Sequence, residues 1–235
     1  MRLFLVLLLS FYIAFSAKGQ QDYPDSGFTN KTEARNLLKD TIKEGKWIEN
    51  IDNKSNVTKA ANAPYYRLTI YKEGKPYGIA RYYFKSNKLA AEMPYKYGKK
   101  NGIGRLYYES GKLLKEIPFT NDSVIGIDRL YYESEKLETE IPYVSGKKNG
   151  VGKMYYESGK LETETPYINS MENGVIKIYY ENGNVKFEIP CTNDKRNGVV
   201  KEYYESGKIK SETLFKDDVQ VSIKKYDENG NEIKQ

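Results

Sequence analysis

Aromatic, aliphatic, charged and glycine positions recur every 24 residues between residues 74 and 216. A fixed period of this length is the sequence signature of a repeat architecture. Six units follow one another without an insertion, so the pattern is not an accident of composition. Three columns define the units: glycine at Gly78, Gly102, Gly126, Gly150, Gly174 and Gly198; tyrosine at Tyr83, Tyr107, Tyr131, Tyr155, Tyr179 and Tyr203; glutamate at Glu92, Glu116, Glu140, Glu164, Glu188 and Glu212.

Within each unit, two runs rich in Tyr, Ile, Leu and Val flank a turn signal, which predicts two short antiparallel strands. The segment Glu-Ser-Gly-Lys recurs at 109–112, 157–160 and 205–208. A Ser-Gly centre supplies the positive φ that a two-residue hairpin loop needs, so we expect Ser110 and Gly111 to form the loop. Glu135 stands where the third unit should have glycine, and we therefore expect a distorted turn at 134–135. The segment Gly-Lys-Lys-Asn-Gly predicts the second kind of turn, at 98–102 and 146–150.

The two-residue loop also fixes which residues face each other across a hairpin. It places Tyr108 opposite Leu113 and Arg105 opposite Glu116. The same count pairs a basic residue with a glutamate in the other units: Arg81 with Glu92, Arg129 with Glu140, Lys153 with Glu164, Lys177 with Glu188, and Lys201 with Glu212. Cross-strand pairs of opposite charge each contribute about 0.2–1 kcal/mol to a sheet, so the periodic charges support this register.

Strand alternation separates two faces of the predicted sheet. One face is apolar enough to form the core, and in the second unit it carries Tyr108, Leu113, Ile117 and Phe119. The other face is an aromatic ladder beside paired charges, and in the same unit it carries Ile103, Arg105, Tyr107, Glu109 and Glu116. An antiparallel sheet with one wetter face is physically reasonable.

The predicted fold is all-β: an elongated, single antiparallel meander of stacked β-hairpin repeats over residues 74–216. In such a protein each unit contacts mainly its neighbours. Residues 45–73 predict an atypical capping repeat with an inserted loop at 52–63, as terminal repeats are often irregular. Residues 217–235 predict a degenerate C-terminal hairpin centred on Asn229-Gly230.

The N-terminal segment 20–44 has no repeat pattern. We expect residues 20–30 to be disordered. The spacing of Leu37, Leu38 and Ile42 predicts a short helix over residues 31–43.

The combination Tyr-Tyr-Glu-Ser-Gly-Lys-Leu, Glu-x-Pro-Tyr and Gly-Lys-Lys-Asn-Gly resembles the MORN-repeat-variant family over about residues 74–216. The resemblance implies stacked β-hairpins and a non-enzymatic protein. Some members of that family carry the label of a toxin–antitoxin system antitoxin, and related repeats are linked to membrane lipid and to protein partners.

Residues 1–19 predict a secretory signal peptide. Arg2 precedes an apolar run that is too short to span a bilayer comfortably, since about 20 residues are needed. Small residues allow cleavage before Ala17 or before Gln20. We therefore expect an exported protein, in the periplasm, at the cell surface or outside the cell. Export argues against neutralisation of a cytosolic toxin and leaves immunity in the envelope open.

Composition argues against an enzyme. The chain has no His and a single Cys, which excludes His-based acid–base chemistry, Ser/His and Cys/His nucleophiles and thiolate zinc clusters. We expect no catalytic residue, no metal and no cofactor. The 38 basic and 32 acidic residues are interspersed, whereas a nucleic-acid binder shows a concentrated basic stripe.

Two sets of residues are candidates for binding. The first is the aromatic ladder with its neighbouring arginines, which either binds a partner or only covers the sheet: Tyr83, Tyr107, Tyr131, Tyr155, Tyr179, Tyr203, Arg105 and Arg129. The second is a set of basic turns, which either binds anionic groups or is solvated charge: Lys99, Lys100, Lys147, Lys148, Lys195 and Arg196.

These candidates lead to three functional hypotheses. The first is a binding or structural scaffold that interacts with a protein through the tyrosine-bearing face. The second is association with anionic lipid or glycan of the cell envelope through the basic turns. The third is an immunity or antitoxin role in the envelope.

Overall fold

A computed structural model describes residues 27–234, and these residues form a single antiparallel sheet with no α-helix among them. The predicted signal peptide at 1–19 lies outside the described residues. Within the described part, no helix is long and apolar enough to cross a membrane. The all-β fold of stacked hairpins, predicted from the 24-residue period, is confirmed.

The first elements of the described residues are a 3₁₀-helix at Lys31–Glu33 and the strands β1 Leu37–Lys39, β2 Ile42–Ile51, β3 Val57–Thr58 and β4 Tyr65–Lys72. The repeats contain β5 Lys75–Phe84, β6 Leu89–Lys96, β7 Lys99–Lys100, β8 Gly102–Tyr107, β9 Leu113–Thr120, β10 Ser123–Val124, β11 Gly126–Tyr131, β12 Leu137–Val144, β13 Lys147–Lys148, β14 Gly150–Tyr155, β15 Leu161–Ile168, β16 Met171–Glu172, β17 Gly174–Tyr179, β18 Val185–Thr192, β19 Lys195–Arg196, β20 Gly198–Tyr203 and β21 Ile209–Lys216. The last strand is β22 Val219–Lys225.

Each repeat is one hairpin, and consecutive hairpins lie side by side. The hairpins are β5–β6, β8–β9, β11–β12, β14–β15, β17–β18 and β20–β21. Strands β2 and β4 pair before them, and β22 pairs with β21 after them. After β22, an isolated bridge joins Tyr226 and Glu232 around a turn with Gly230 at φ +90°.

The N-terminal segment differs from its prediction. Residues 31–43 do not form a helix: the 3₁₀ turn ends at Glu33, and β1 pairs with the start of β2. Leu37 and Leu38 are exposed on this edge strand, so no core lies against the apolar side that a helix would have given them. Of the segment predicted to be disordered, residues 27–30 are described, and Phe28 is buried against Leu68.

The hairpin loop has three residues, not the predicted two. The Tyr108 amide donates to the Lys112 carbonyl, and the Gly111 amide donates to the Tyr108 carbonyl, at 2.9 Å each. This is a turn followed by a residue at positive φ, the usual three-residue hairpin connection. Tyr107, rather than Tyr108, then lies opposite Leu113.

A β-bulge corrects this one-residue offset within the same hairpin. The register shifts between Leu106 and Tyr107, and beyond it Arg105 lies opposite Glu116 as predicted. The predicted charge register is therefore confirmed in all six hairpins. The assignment of Leu113 to the face of Tyr108 is wrong, because cross-strand partners share a face and Leu113 pairs with Tyr107.

The second turn is also shorter than its sequence signal. Tyr97 and Gly98, both at positive φ, form a two-residue turn that matches the twist of paired strands. Lys99–Lys100 is already the short strand β7, which pairs with β6, and Lys147–Lys148 and Lys195–Arg196 are the equivalent strands. The predicted basic turns at 98–102 and 146–150 are therefore short strands that follow a turn.

Direct strand pairing between neighbouring hairpins is brief. Strands β6 and β8 share only two residue pairs, Ala91 with Leu106 and Glu92 with Arg105, besides the pairs next to the turn. From the second unit on, the second tyrosine adds a bond to the junction that follows it, because its hydroxyl donates to the carbonyl of the first tyrosine of the next unit; the first unit has Phe84 at this position. The bonds are Tyr108–Tyr131 (2.7 Å), Tyr132–Tyr155 (2.7 Å), Tyr156–Tyr179 (2.6 Å), Tyr180–Tyr203 (2.8 Å) and Tyr204–Tyr226 (2.8 Å).

The sheet is one layer thick, so deep burial is confined to a few places. The main apolar cluster lies at the N-terminal end, where Phe28, Leu68 and Tyr83 pack together. Elsewhere most repeat positions are half-buried on both faces. The apolar face predicted as the core is therefore only partly covered, with Met93 and Cys191 among its buried residues.

Glu135 adopts the left-handed conformation that its repeat position requires, at φ +69°. Its amide donates to the Tyr132 carbonyl at 2.8 Å, and the Tyr132 amide donates to the Lys136 carbonyl at 2.9 Å, as in the other units. The expected distortion at 134–135 is therefore absent, and the cost lies in the backbone conformation of Glu135 alone.

We expect Glu135→Gly to stabilise the protein by roughly 0.5–1 kcal/mol. Left-handed φ costs a non-glycine residue about 1–2 kcal/mol, and the freedom of glycine in the unfolded chain takes back about 0.5–1 kcal/mol. Urea unfolding measures the change. Glu133→Gly in the same loop is the control and should destabilise, since Glu133 has no positive φ to relieve. An unchanged or lowered stability of Glu135→Gly would contradict the strain argument.

The double variant Tyr132→Phe/Tyr156→Phe should lose about 0.5–1.5 kcal/mol per hydroxyl, because each change removes one hydrogen bond between neighbouring repeats. Urea unfolding followed by circular dichroism checks this. Tyr97→Phe is the control, since Tyr97 is 78% exposed on a turn. Equal stability of the double variant and the control would show that these hydroxyls do not hold the repeats together.

Candidate functional site

The first tyrosine of each repeat lies on one face of the sheet, together with the charge pairs; this side is called the Tyr face. Its ladder residues are Tyr83, Tyr107, Tyr131, Tyr155, Tyr179 and Tyr203. Register places Ile103, Arg105 and Tyr107 on this side, because they alternate along β8. The other side, which bears Leu106, Ile117, Phe119 and their repeat equivalents, is called the opposite face.

On the Tyr face, each tyrosine hydroxyl donates to the glutamate of the preceding repeat. The bonds are Tyr107–Glu92 (3.2 Å), Tyr131–Glu116 (3.4 Å), Tyr155–Glu140 (3.0 Å), Tyr179–Glu164 (2.9 Å) and Tyr203–Glu188 (2.9 Å). Tyr83 instead belongs to the N-terminal apolar cluster and stacks on Tyr66 at a centroid distance of 5.0 Å. The ladder tyrosines therefore cover the sheet and join neighbouring units, and their rings keep fixed positions.

A seventh member of this ladder is missing from the sequence prediction. The Tyr226 hydroxyl donates to Glu212 at 3.0 Å, and its carbonyl accepts from Tyr204. Tyr226 follows Tyr203 by 23 residues instead of 24. A search for the next tyrosine near the expected position, rather than at a strict period, would have found it.

The paired charges of the Tyr face differ along the stack. Arg81 and Glu92 form an ion pair at 2.9 Å, and Arg105 and Glu116 form one at 3.1 Å. In the four later units the basic residue and the glutamate face each other across the strands, and no direct ion pair joins them within the described residues. Arg129 is therefore placed beside Glu140 by register, without a salt bridge to it.

The same face presents an exposed aliphatic side chain in each of five consecutive units. These residues form the aliphatic stripe: Ile103 (39% exposed), Ile127 (38%), Val151 (46%), Val175 (46%) and Val199 (42%). The first four are opposite the proline of their own hairpin, as Ile103 is opposite Pro118, whereas Val199 is opposite Leu214. The sequence prediction placed Ile103 on this face, but the exposure of the whole column depends on the sheet having no second layer.

The predicted basic residues divide between solvent and aromatic rings. Lys99, Lys147 and Lys195 are exposed. The second residue of each pair lies over an aromatic ring: Lys100 over Phe119 (5.1 Å), Lys148 over Tyr167 (4.8 Å) and Arg196 over Phe215 (4.1 Å). Arg196 also pairs with Asp218 at 2.9 Å. Because the intervening strands are Ser123–Val124 and Met171–Glu172, the basic pairs recur only at every second hairpin.

A buried polar cluster lies near the N-terminal end of the opposite face. Glu49 is 6% exposed and accepts hydrogen bonds from Lys43, Arg67 and Tyr71. Burial alone would raise the pKa of Glu49, but the bonds from Lys43 and Arg67 lower it below its usual value. Arg67 also donates to the Tyr71 hydroxyl at 3.0 Å, although its own buried Nε has no hydrogen-bond partner among the described residues. Among the described residues, no group of three or more His, Cys, Asp and Glu is placed to hold a metal ion.

Comparison with known proteins gives one informative result. The sequence model of the MORN repeat variant matches residues 76–97, 100–121, 148–169, 172–193 and 196–217. The third unit, which contains Glu135, lies between the second and third of these segments and is not matched. None of the curated proteins matches the chain. A solved structure described as "Crystal Structure of TarM" is similar over 44% of this chain and 20% of that chain, with 17% identity and a TM-score of 0.30. The chain thus spans one fifth of the length of that protein.

Alkaline pH should unfold the protein through the ladder tyrosines. Burial, together with the neighbouring glutamate, raises the pKa of Tyr107, Tyr155, Tyr179 and Tyr203 from 10.0 to about 12. The folded state therefore holds these phenolic protons more tightly, so its stabilisation is complete below pH 10 and is lost as the pH rises to about 12. Urea unfolding at a series of pH values, with tyrosinate absorbance as a second signal, measures this.

Glu140→Gln should shift the ionisation of Tyr155 to lower pH, since it removes the negative charge beside that hydroxyl. Glu228→Gln, a change at an exposed glutamate, is the control and should leave the titration unchanged. Identical titrations of the two variants would contradict the coupling between Tyr155 and Glu140.

Proposed function

We propose that this chain, which belongs to the MORN repeat variant family, is a non-enzymatic scaffold that binds a protein partner across its Tyr face. The family supports a repeat-based binding or scaffold role. The choice of face is supported by a single observation, the aliphatic stripe, because regularly spaced exposed apolar side chains mark interaction surfaces on soluble proteins.

The stripe has a geometry that a partner can match. Equivalent residues of adjacent hairpins are two strands apart, or about 9.5 Å at the usual strand spacing. Flanking positions hold tyrosine rings tied to glutamate and basic residues opposite glutamate. A suitable partner therefore presents apolar side chains at a similar spacing, with polar groups of both signs at the rim.

The fixed tyrosine rings favour such binding. A side chain that is already held in place loses little conformational entropy when a partner covers it. The ring of Tyr155, for example, is held through Glu140, and its carbonyl accepts from Tyr132. The ladder thus serves both the fold and the proposed interface. A tyrosine-to-alanine variant would therefore change stability and binding at once and would not separate the two roles.

Association with anionic lipid or glycan of the cell envelope is the second candidate. It is favoured by Lys100 and Lys148, whose side chains lie over aromatic rings at positions two hairpins apart. We also propose that the protein is exported through the signal peptide and that it has an immunity role in the envelope. Export is supported by the sequence of residues 1–19, and the immunity role is supported by the family resemblance.

We expect Val151→Asp to reduce partner binding at least tenfold, because it places a charge in the middle of the aliphatic stripe. Met154→Asp is the matched control: Met154 is 43% exposed on the same strand, against 46% for Val151, but it lies on the opposite face. The chain without residues 1–19 is used to capture partners from an envelope extract of its source organism, at low and high salt. Mass spectrometry compares the captured proteins.

A stoichiometric protein that survives high salt, and that Met154→Asp retains but Val151→Asp loses, would support the proposal. Equal recovery by the two variants would refute binding through the Tyr face. Recovery of lipid or glycan alone, lost in high salt and in a Lys99, Lys100, Lys147 and Lys148 to Ser variant, would favour the second candidate, since exposed charge interactions are screened by salt.

A further inference from the structure

The opposite face contains a groove of about 510 Å³ at the junction of the first two repeats. Its apolar lining includes Tyr82, Phe84, Met93, Leu106 and Leu114. Ligand sites in proteins are typically mostly apolar clefts of about 300–1,000 Å³ with a few polar groups. The groove lies on the other side of the sheet from the proposed protein interface, so the inference drawn from it goes beyond the proposed function.

The groove exists because two repeat positions are small only here. Ala90 and Ala91 occupy positions that hold larger residues in every later unit: Leu114 and Lys115, Glu138 and Thr139, Glu162 and Thr163, Lys186 and Phe187, and Lys210 and Ser211. At the next junction, Lys115 forms an ion pair of 3.1 Å with Asp128. The equivalents of this pair at the first junction are Ala91 and Gly104, so both long side chains are absent, and Met93 packs over Gly104 instead.

The inserted loop 52–63 supplies one side of the groove. Ile51, Asn53 and Ser55 line it next to Tyr65, whose ring packs on Phe84 at a centroid distance of 5.6 Å. The Asp52 carboxylate holds the loop by accepting from the amides of residues 54 and 56 at 2.8 Å each. The two departures of this chain from its own repeat, the insertion and the alanine pair, therefore meet at one place.

The two ends of the groove carry opposite charges. At one end lies Lys100, whose ammonium group has no carboxylate partner among the described residues. At the other lies Glu109, a loop residue that lines this groove rather than the Tyr face on which strand alternation predicted it, and its carboxylate accepts from Ser86 at 2.8 Å. Strand β8 runs between them, and its six residues span about 20 Å at roughly 3.3 Å per residue.

A second, smaller groove of about 350 Å³ lies on the same face near the C-terminal end. It also has a cation at its margin, Arg196, but Asp218 neutralises that charge at 2.9 Å. An available cation therefore distinguishes the groove of the first junction from the other one.

We propose that the groove between the first two repeats binds a long-chain fatty acid, with its alkyl chain over Ala90 and Ala91 and its carboxylate at Lys100. An extended apolar chain matches the length and lining of the groove. A single anionic head matches its one available cation, and Glu109 disfavours the reverse orientation. Burial of the alkyl chain supplies most of the affinity, at about 0.8 kcal/mol per buried CH₂ in the favourable limit.

Palmitate binding to the purified chain, measured by calorimetric titration below the micelle concentration, tests the proposal. We expect saturable one-to-one binding, and hexadecanol should bind about tenfold more weakly because it lacks the carboxylate. Lys100→Ser should weaken palmitate binding by about the same factor. Lys148→Ser, which removes the equivalent lysine two hairpins away, should leave it unchanged.

The variant Ala90→Leu/Ala91→Lys should abolish binding, because it restores the larger residues of the second repeat and fills the groove. Its thermal unfolding shows whether it folds, and Lys100→Ser remains an independent test if it does not. Val151→Asp on the Tyr face should retain palmitate binding, so failure of the proposed protein interface and failure of this proposal can be told apart.

Three results would overturn the proposal. The first is no palmitate binding, including the case in which the flat aromatic anion anilinonaphthalene sulfonate binds instead. The second is full binding to a folded Ala90→Leu/Ala91→Lys variant. The third is a dimer of the ligand-free chain, seen by analytical ultracentrifugation, that the same variant converts to a monomer, because a second copy would then occupy the groove.

Discussion

The structure depends on the junction between one hairpin and the next. A hairpin of this size cannot bury an apolar face alone, and its direct strand pairing with a neighbour extends over only two residue pairs away from the turns. The Tyr-Tyr dipeptide completes that junction. In the second unit, the Tyr107 hydroxyl reaches back to Glu92 and the Tyr108 hydroxyl reaches forward to the carbonyl of Tyr131. One dipeptide therefore holds two junctions, from opposite faces of the sheet.

This dependence explains why the repeat pattern predicts the fold so well and the turns less well. Period and strand composition are properties of every unit, so six copies reinforce each other. The loop length is a local property, and a Ser-Gly centre fits both a two-residue loop and the observed three-residue loop with Gly111 at positive φ. The charge register was nonetheless predicted correctly, because the bulge beside Tyr107 cancels the extra loop residue. The same bulge is why Leu113 was placed on the wrong face.

Other features of the candidate site could not be read from the repeat, because they depend on what lies over each residue. Exposure of the aliphatic stripe follows from the absence of a second layer over the described sheet, which the alternation of Val151 and Lys153 does not reveal. The groove required knowing that Ala91 and Leu106 lie opposite each other across two hairpins. In contrast, departures from the repeat were visible in the sequence, and the insertion and the alanine pair mark the least regular part of the surface. The two faces can thus carry two roles, since alternate residues of a strand vary independently.

The last unit changes one residue of the dipeptide. Tyr226 keeps the backward bond to Glu212, but Asp227 occupies the place of the second tyrosine. Its carboxylate accepts from the amides of residues 229 and 231 in its own turn, so it offers no donor forward. An open sheet of identical units would otherwise invite growth by addition of strands from other molecules. Asp227 lacks the hydroxyl with which Tyr204 reaches Tyr226, so a strand added at this end would lack the tyrosine hydrogen bond that joins the other hairpins.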